Sequence, residues 1–142
     1  MLLVCLIYRI PCLNYIISFP AGIKDDGEDV CQTAARELKE ETGYVGENAR
    51  ASYVTRCDPW KSDDRGTLVY FDIDLEKDEN KNPKQDLEGV EDITCLWVKV
   101  DGLRKNLEVI AEKYGYDIDQ RVYTFALGME FAEETGLVNA KI

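Results

Sequence analysis

The stretch from residue 22 to residue 44 constrains this chain more than any other. It reads G-x5-E-x7-R-E-U-x-E-E-x-G-U, where U is a bulky apolar or aromatic residue. Glu37, Glu40 and Glu41 stand at i, i+3 and i+4, so on a helix their carboxylates share one face. Cys31, Ala34, Ala35 and Leu38 recur at i, i+3, i+4 and i+7 and form a separate apolar stripe. Asp29, with Gln32 three residues on, reads as an N-cap inside a capping box. Gly43 reads as the C-terminal stop. The spacing therefore predicts a short helix with one buried face and one acidic face.

Three like charges on one face repel. Arg36 and Lys39 are the only basic residues within the turn, too few for a ladder of ion pairs. A hard divalent cation relieves the repulsion, because Mg²⁺ takes carboxylate, carbonyl and phosphate oxygens. The segment ahead of the helix, Phe19-Pro20-Ala21-Gly22, reads as a strand end entering a tight loop. Gly22 is expected there for its backbone freedom, leaving a main-chain carbonyl turned to the metal. Glu28 and Arg36 are placed to tie loop to helix as an ion pair.

Composition narrows the chemistry. The chain has 142 residues, enough for one domain with a real core. With 17 basic and 28 acidic residues its net charge is −11, which gives no general attraction to nucleic acid or anionic membrane. It has no histidine, which removes Ser-His-Asp and Cys-His catalysis and histidine-ligated zinc. Five scattered cysteines, none in a C-x-x-C, read as buried thiols in a reducing compartment, and the expected location is cytoplasmic or nuclear. The apolar start is broken by Arg9 and Pro11 and has no basic residue ahead of it. Two buried strands around an Arg-x-Pro turn fit it better than a signal peptide or membrane span.

Along the chain, strands are expected at 2–8, 15–19, 51–55, 67–75 and 93–100, with a polar loop at 56–66 and a long charged loop at 76–92. Two helices follow. Their apolar stripes are Leu103, Leu107, Ile110, Ala111, Tyr114 and then Val122, Phe125, Ala126, Met129, Ala132, the second capped by Asp119. The tail echo Glu133-Glu134-Thr135-Gly136 is not a second copy of the motif, since Met129 and Arg121 replace its arginine and upstream glutamate. The expected class is α/β, an α/β/α sandwich around a mixed sheet in one domain, 1–142.

With every fixed position of the 22–44 pattern filled, the chain resembles the Nudix hydrolases. Phe19-Pro20-Ala21-Gly22, Asp25-Asp26-Gly27-Glu28, Glu41 to Gly46, Asp58-Pro59 and Asp119 to Tyr123 look like the ADP-ribose (ADP-sugar) pyrophosphatase branch. The resemblance implies Mg²⁺-dependent cleavage of ADP-ribose to AMP and ribose 5-phosphate, with Mn²⁺ as an alternative ion. It implies the Ala21 carbonyl, Glu37 and Glu41 as metal ligands, with Glu40 catalytic and sharing a further ion. It implies Arg9 on the diphosphate, with Asp58 and Ile23 also at the substrate. Glu91 is the implied base for the attacking water and Glu88 its rival. Gly22, Glu28, Arg36 and Gly43 are implied to be structural.

The branch carries glutamate where Ser18 stands here. It also has a region before the strand that begins here at Leu2, used for dimerisation and for aromatic rings that sandwich adenine; Trp60 and Trp97 do not match those rings. The resemblance therefore implies an N-terminally truncated form of a homodimer, with weak base discrimination and an exposed apolar N-terminal surface. The readings left open are another nucleoside diphosphate derivative as substrate, or an inactive nucleotide-binding relative.

Overall fold

The computed structural model describes residues 1–89 and 91–137; Val90, within the expected charged loop, and residues 138–142 lie outside the description. In chain order the elements are β1 (Leu2–Arg9), a 3-10 turn (Ile10–Cys12), β2 (Asn14–Ser18), α1 (Val30–Thr42), β3 (Glu47–Ala51), β4 (Thr55–Arg56) and β5 (Arg65–Gly66). They continue as β6 (Val69–Asp72), α2 (Asp78–Lys81), β7 (Ile93–Val98), α3 (Leu103–Tyr114), β8 (Asp117–Ile118) and α4 (Gln120–Glu134). The chain forms two compact units, one of Met1–Phe19 with Leu87–Ile142 and one of Pro20–Asp86.

In the first unit the sheet order is β7-β1-β2-β8. β1 pairs antiparallel with β2 and β7, and β2 pairs parallel with β8, so the sheet is mixed as expected. Pro11 sits in the first turn of the 3-10 segment, where its missing N–H costs nothing, and Leu13 closes the reversal at φ 50°. The period of two explains why β1 is apolar nearly throughout. Val4 and Leu6 point into a core with Ile17, Val98, Leu103, Leu107, Val122 and Ala126, which packs α3 and α4 on that face. Cys5 and Ile7 point the other way, into a smaller cluster with Ile93.

The expected exposed apolar surface is not formed by the body of β1, although Met1, Tyr8, Ile10 and Leu13 around it are exposed. β1 is an inner strand, and Leu3 to Ile7 are all buried. The two expected closing helices are present. Asp119 caps α4 by accepting the Arg121 N–H at 2.8 Å. Tyr114, expected in the α3 stripe, is instead exposed and stacks on Tyr116 at 5.4 Å. Arg104 joins α3 to α4 through Glu130 (2.6 Å) and also holds Glu108 (2.7 Å). No helix among the described residues is long and apolar enough to cross a membrane.

In the second unit β3 pairs with β6 and β4 with β5. β3 lies at 47–51, not at the expected 51–55, and none of its residues is buried. Polar links across to β6 hold it: Arg50 and Asn48 both bond Asp72 at 3.0 Å, and an irregularity between Glu47 and Arg50 takes Asn48 to φ 52°. Apolar alternation carries no trace of such a strand. The expected polar loop at 56–66 begins and ends in the small β4-β5 ladder.

β6 is shorter than expected, although burial alternates through Val69, Phe71 and Ile73. Inside the charged run the short α2 presents Asn80, which is buried. Its amide accepts the Val45 N–H (2.7 Å) and donates to the carbonyls of Val45 (3.0 Å) and Asp74 (2.8 Å). A buried side-chain amide satisfied in this way replaces a strand partner.

Candidate active site

α1 begins and ends as its sequence requires. Asp29 accepts from the Cys31 and Gln32 N–H groups at 2.8 and 2.9 Å, and Gln32 accepts the Asp29 N–H at 2.9 Å, completing the capping box. Gly43 closes the helix at φ 76° and donates to the Lys39 carbonyl at 2.8 Å. Its Cα also lies against the Lys84 backbone, so a side chain there is excluded twice over. The buried positions of α1 are Thr33, Leu38, Glu41 and Thr42, whereas Ala35, expected in the apolar stripe, is exposed.

The acidic face is organised around Arg36. Its Nε and Nη2 donate to the two oxygens of Glu28 (3.0 and 3.2 Å), its Nη1 to Glu37 (2.8 Å) and Glu40 (3.0 Å), and its Nη2 also to the Ile23 carbonyl (3.1 Å). The expected Glu28–Arg36 tie is present. The expectation that the basic neighbours are too few is corrected: one guanidinium, with five donors in a rigid fork, bridges Glu37 and Glu40. Lys39 takes no part and caps the helix through the Gly43 carbonyl at 2.9 Å. The Arg36 hydrogen bond, then that from Thr33, holds the Glu28 carboxyl pKa at about 2, and the bonds to Glu28, then Glu37 and Glu40, raise the Arg36 pKa.

The loop 20–23 crosses this face. Ala21 donates its N–H to Glu41 at 2.9 Å, and the Glu41 side chain is buried, with the residue only 5 % exposed. Gly22 is not in a left-handed conformation, so backbone freedom is not why glycine stands there. Its role is steric: a Cβ on it would overlap the Glu37 carboxyl group and displace it. Ala21, Gly22, Ile23, Glu28, Arg36, Glu37, Glu40 and Glu41 are thus brought together within the Pro20–Asp86 unit. The Ile23 side chain is exposed. Asp58 lies in a turn in the same unit, its carbonyl accepting the N–H groups of Lys61 and Ser62 at 3.0 and 2.9 Å.

The donor set is of the hard-oxygen kind a divalent cation takes, with one oxygen each of Glu37 and Glu40 converging on a single positively charged nitrogen. Among the described residues no group of three or more acidic or cysteine side chains is placed so that it could hold a metal ion as the side chains stand. The guanidinium of Arg36 stands where two of those carboxylates meet.

Arg9, Glu88 and Glu91 belong to the other unit. Arg9 ends β1, is exposed, and makes no ion pair among the described residues. Glu91 and its rival Glu88 are bonded to each other: the Glu91 carboxylate accepts the Glu88 N–H and the Glu91 N–H donates to the Glu88 carbonyl, both at 2.9 Å. Ser18 is buried at 5 % exposure, and its hydroxyl has no hydrogen-bond partner. The cysteines are less uniformly buried than expected: Cys5 is buried, Cys31 and Cys95 are partly so, and Cys12 and Cys57 are exposed.

Sequence reasoning missed the segment that closes α1. Gln85 Nε2 donates to the Glu41 carbonyl at 2.6 Å and the Asp86 N–H to the Glu40 carbonyl at 2.8 Å. These bonds satisfy carbonyls that the helix end leaves open. Nothing in the sequence flags them, because a main-chain acceptor has no residue identity.

A NUDIX domain model matches residues 1–117. The chain is 39 % identical over 122 residues to an uncharacterized Nudix hydrolase of Schizosaccharomyces pombe, covering 86 % of this chain and 59 % of that protein. It is 35 % identical over 127 residues to the ADP-ribose pyrophosphatase of Saccharomyces cerevisiae, covering 89 % and 54 %. It is 31 % identical over 125 residues to the ADP-sugar pyrophosphatase of Mus musculus, covering 88 % and 57 %. The chain thus spans a little over half the length of these curated relatives. Proteins with this domain generally use divalent metals. The match over most of the chain and the glutamate face built on α1 lead to one conclusion: this chain belongs to the Nudix family.

Proposed function

We propose that the protein carrying this chain hydrolyses the diphosphate of a nucleoside diphosphate sugar in a divalent-metal-dependent reaction. ADP-ribose, split to AMP and ribose 5-phosphate, is the leading substrate. The observation that carries this reading is the convergence of Glu37 and Glu40 on one positive group beside the buried Glu41, with the Ala21-Gly22 backbone laid across them. Two relatives bear the names ADP-ribose pyrophosphatase and ADP-sugar pyrophosphatase. A homodimer of the full-length protein and a cytoplasmic or nuclear location belong to the same proposal.

Glu37, Glu40, Glu41 and the Ala21 carbonyl would hold Mg²⁺ or Mn²⁺, which would neutralise the diphosphate charge when bound. The chain's own residues do the rest. Glu91 takes a proton from water; the water oxygen bonds to phosphorus as the bond from that phosphorus to the bridging oxygen breaks. Arg9 offers a forked donor set to the phosphate oxygens. Arg36 keeps Glu28 ionised and sets the spacing of Glu37 and Glu40.

Product analysis by chromatography tests the proposal. The protein is incubated with Mg²⁺ and a panel of ADP-ribose, other ADP-sugars, and their guanine, uracil and cytosine counterparts. AMP and ribose 5-phosphate as the fastest-formed products support it. Cleavage of a different nucleoside diphosphate derivative alone reassigns the substrate, and binding without turnover assigns a nucleotide-binding role instead.

A further inference from the structure

We propose that Tyr15 is a positioning residue for Glu91, acting through Asp92. The proposal rests on the reading of Glu91 as the base. The sheet order β7-β1-β2 puts one strand between the start of β7 and Tyr15 on β2. Asp92, just ahead of β7, is joined to the sheet on both sides of that gap. Its carbonyl accepts the Tyr8 N–H at 3.5 Å, extending the β1-β7 ladder one step past Ile7↔Ile93. Its carboxylate accepts the Tyr15 hydroxyl at 2.6 Å, across β1.

The Tyr15 ring is itself held. Tyr8, its register partner, packs edge-on at 5.2 Å, and Tyr116 packs at 5.7 Å. The short bond to Asp92 also raises the Tyr15 pKa, so the hydroxyl keeps its proton as a donor through the working pH range.

Glu91 has no comparable attachment among the described residues. Its hydrogen bonds there run to Glu88, three residues away in the same turn. Asp92 is therefore where the rigid sheet ends and the segment bearing the base begins. A general base depends on placement to within a fraction of a hydrogen-bond length. The Tyr15 hydroxyl fixes the direction in which Glu91 leaves the sheet without touching Glu91 or, on this proposal, substrate.

The test is a kinetic double-mutant cycle with ADP-ribose and Mg²⁺, using Tyr15→Phe, Glu91→Gln and the double variant, with Asp92→Asn as the conservative control. Tyr15→Phe removes only the hydroxyl and leaves the ring stack. It is expected to lower kcat about tenfold at unchanged KM, the scale of one hydrogen bond to a charged group. Asp92→Asn, which still offers an oxygen to Tyr15 but removes the charge, is expected to lower kcat by less than Tyr15→Phe does. In the Glu91→Gln background the Tyr15→Phe loss is expected to vanish, which a purely structural role would not produce. If Tyr15→Phe leaves kcat unchanged, or its loss persists in full in the Glu91→Gln background, the positioning role is overturned while Glu91 stands as the base. If Glu91→Gln itself leaves kcat unchanged, the base assignment fails and the positioning role fails with it.

Discussion

Gly22 and Glu37 approach so closely that a Cβ on Gly22 would occupy the space of the Glu37 carboxyl carbon and both its oxygens. The glycine is a spacer for a carboxylate. The atoms in its way are the far end of a flexible side chain, so a substitution displaces the carboxylate before it disturbs the helix. Gly22→Ala is therefore expected to leave the circular-dichroism spectrum unchanged and the Tm within a few degrees, while metal affinity measured by calorimetry falls at least tenfold. Unaltered affinity would show that Glu37 does not hold the metal where Gly22 admits it.

Glu41 is the most buried carboxylate of the acidic face, and it accepts the Ala21 N–H. Glu41→Gln keeps an oxygen for that hydrogen bond and removes the charge. Turnover is expected to fall by about two to three orders of magnitude with the helix intact, the scale of lost electrostatic stabilisation at a reacting phosphate. Steady-state kinetics at low and high Mg²⁺ check this; near-full activity at low Mg²⁺ would remove Glu41 from the metal site.

The Glu28–Arg36 pair carries a pH dependence with a definite sign. The carboxyl is held at about 2 in the folded protein against an ordinary 4.5. A depressed folded value means that the stabilisation is fully present above about 4.5 and disappears as pH falls through about 2. The Tm difference between the wild-type protein and Glu28→Gln is expected to stay constant from pH 7 to about 5, then shrink across that acid window. A difference that does not change with pH down to 2 would show that Glu28 gains nothing from Arg36 in its charged form.

Arg9 makes no ion pair among the described residues. Arg9→Lys keeps the charge and loses the fork. On the proposed role of Arg9 at the diphosphate, KM for ADP-ribose is expected to rise about tenfold at nearly constant Tm. A drop in Tm with unchanged kinetics would make this a structural arginine.

Ser18 buries a hydroxyl with no hydrogen-bond partner. Such a group costs stability, so Ser18→Ala is expected to leave Tm unchanged or raise it, by up to about 1 kcal/mol in denaturant titration. A loss of more than that would show that the hydroxyl has a partner in solution.

The local grammar of this protein is legible in its residues. Asp29, Gln32 and Gly43 act through bonds to backbone a few residues away, so spacing alone placed both ends of α1. The two-residue period of β1 placed its apolar side chains on both faces of a sheet, and the 3.6-residue period placed Leu107 and Val122 in the core. The shared face of Glu37, Glu40 and Glu41 was legible for the same reason. Which residues meet across sequence distance emerges only from the folded chain. Glu41 is a buried acceptor, Gly22 is a spacer for Glu37, Arg36 occupies the point between two carboxylates, and Asn80 stands in for a strand. β3 was misplaced because polar cross-strand bonds to Asp72 hold it, and these leave no hydrophobic period to read. The Tyr15–Asp92 link spans 77 positions and joins a side chain to another strand's entry, a pairing fixed by sheet order and register. Short-range hydrogen bonds and periodic burial repeat along the chain and can be read from it, whereas contacts between distant segments depend on how the backbone returns.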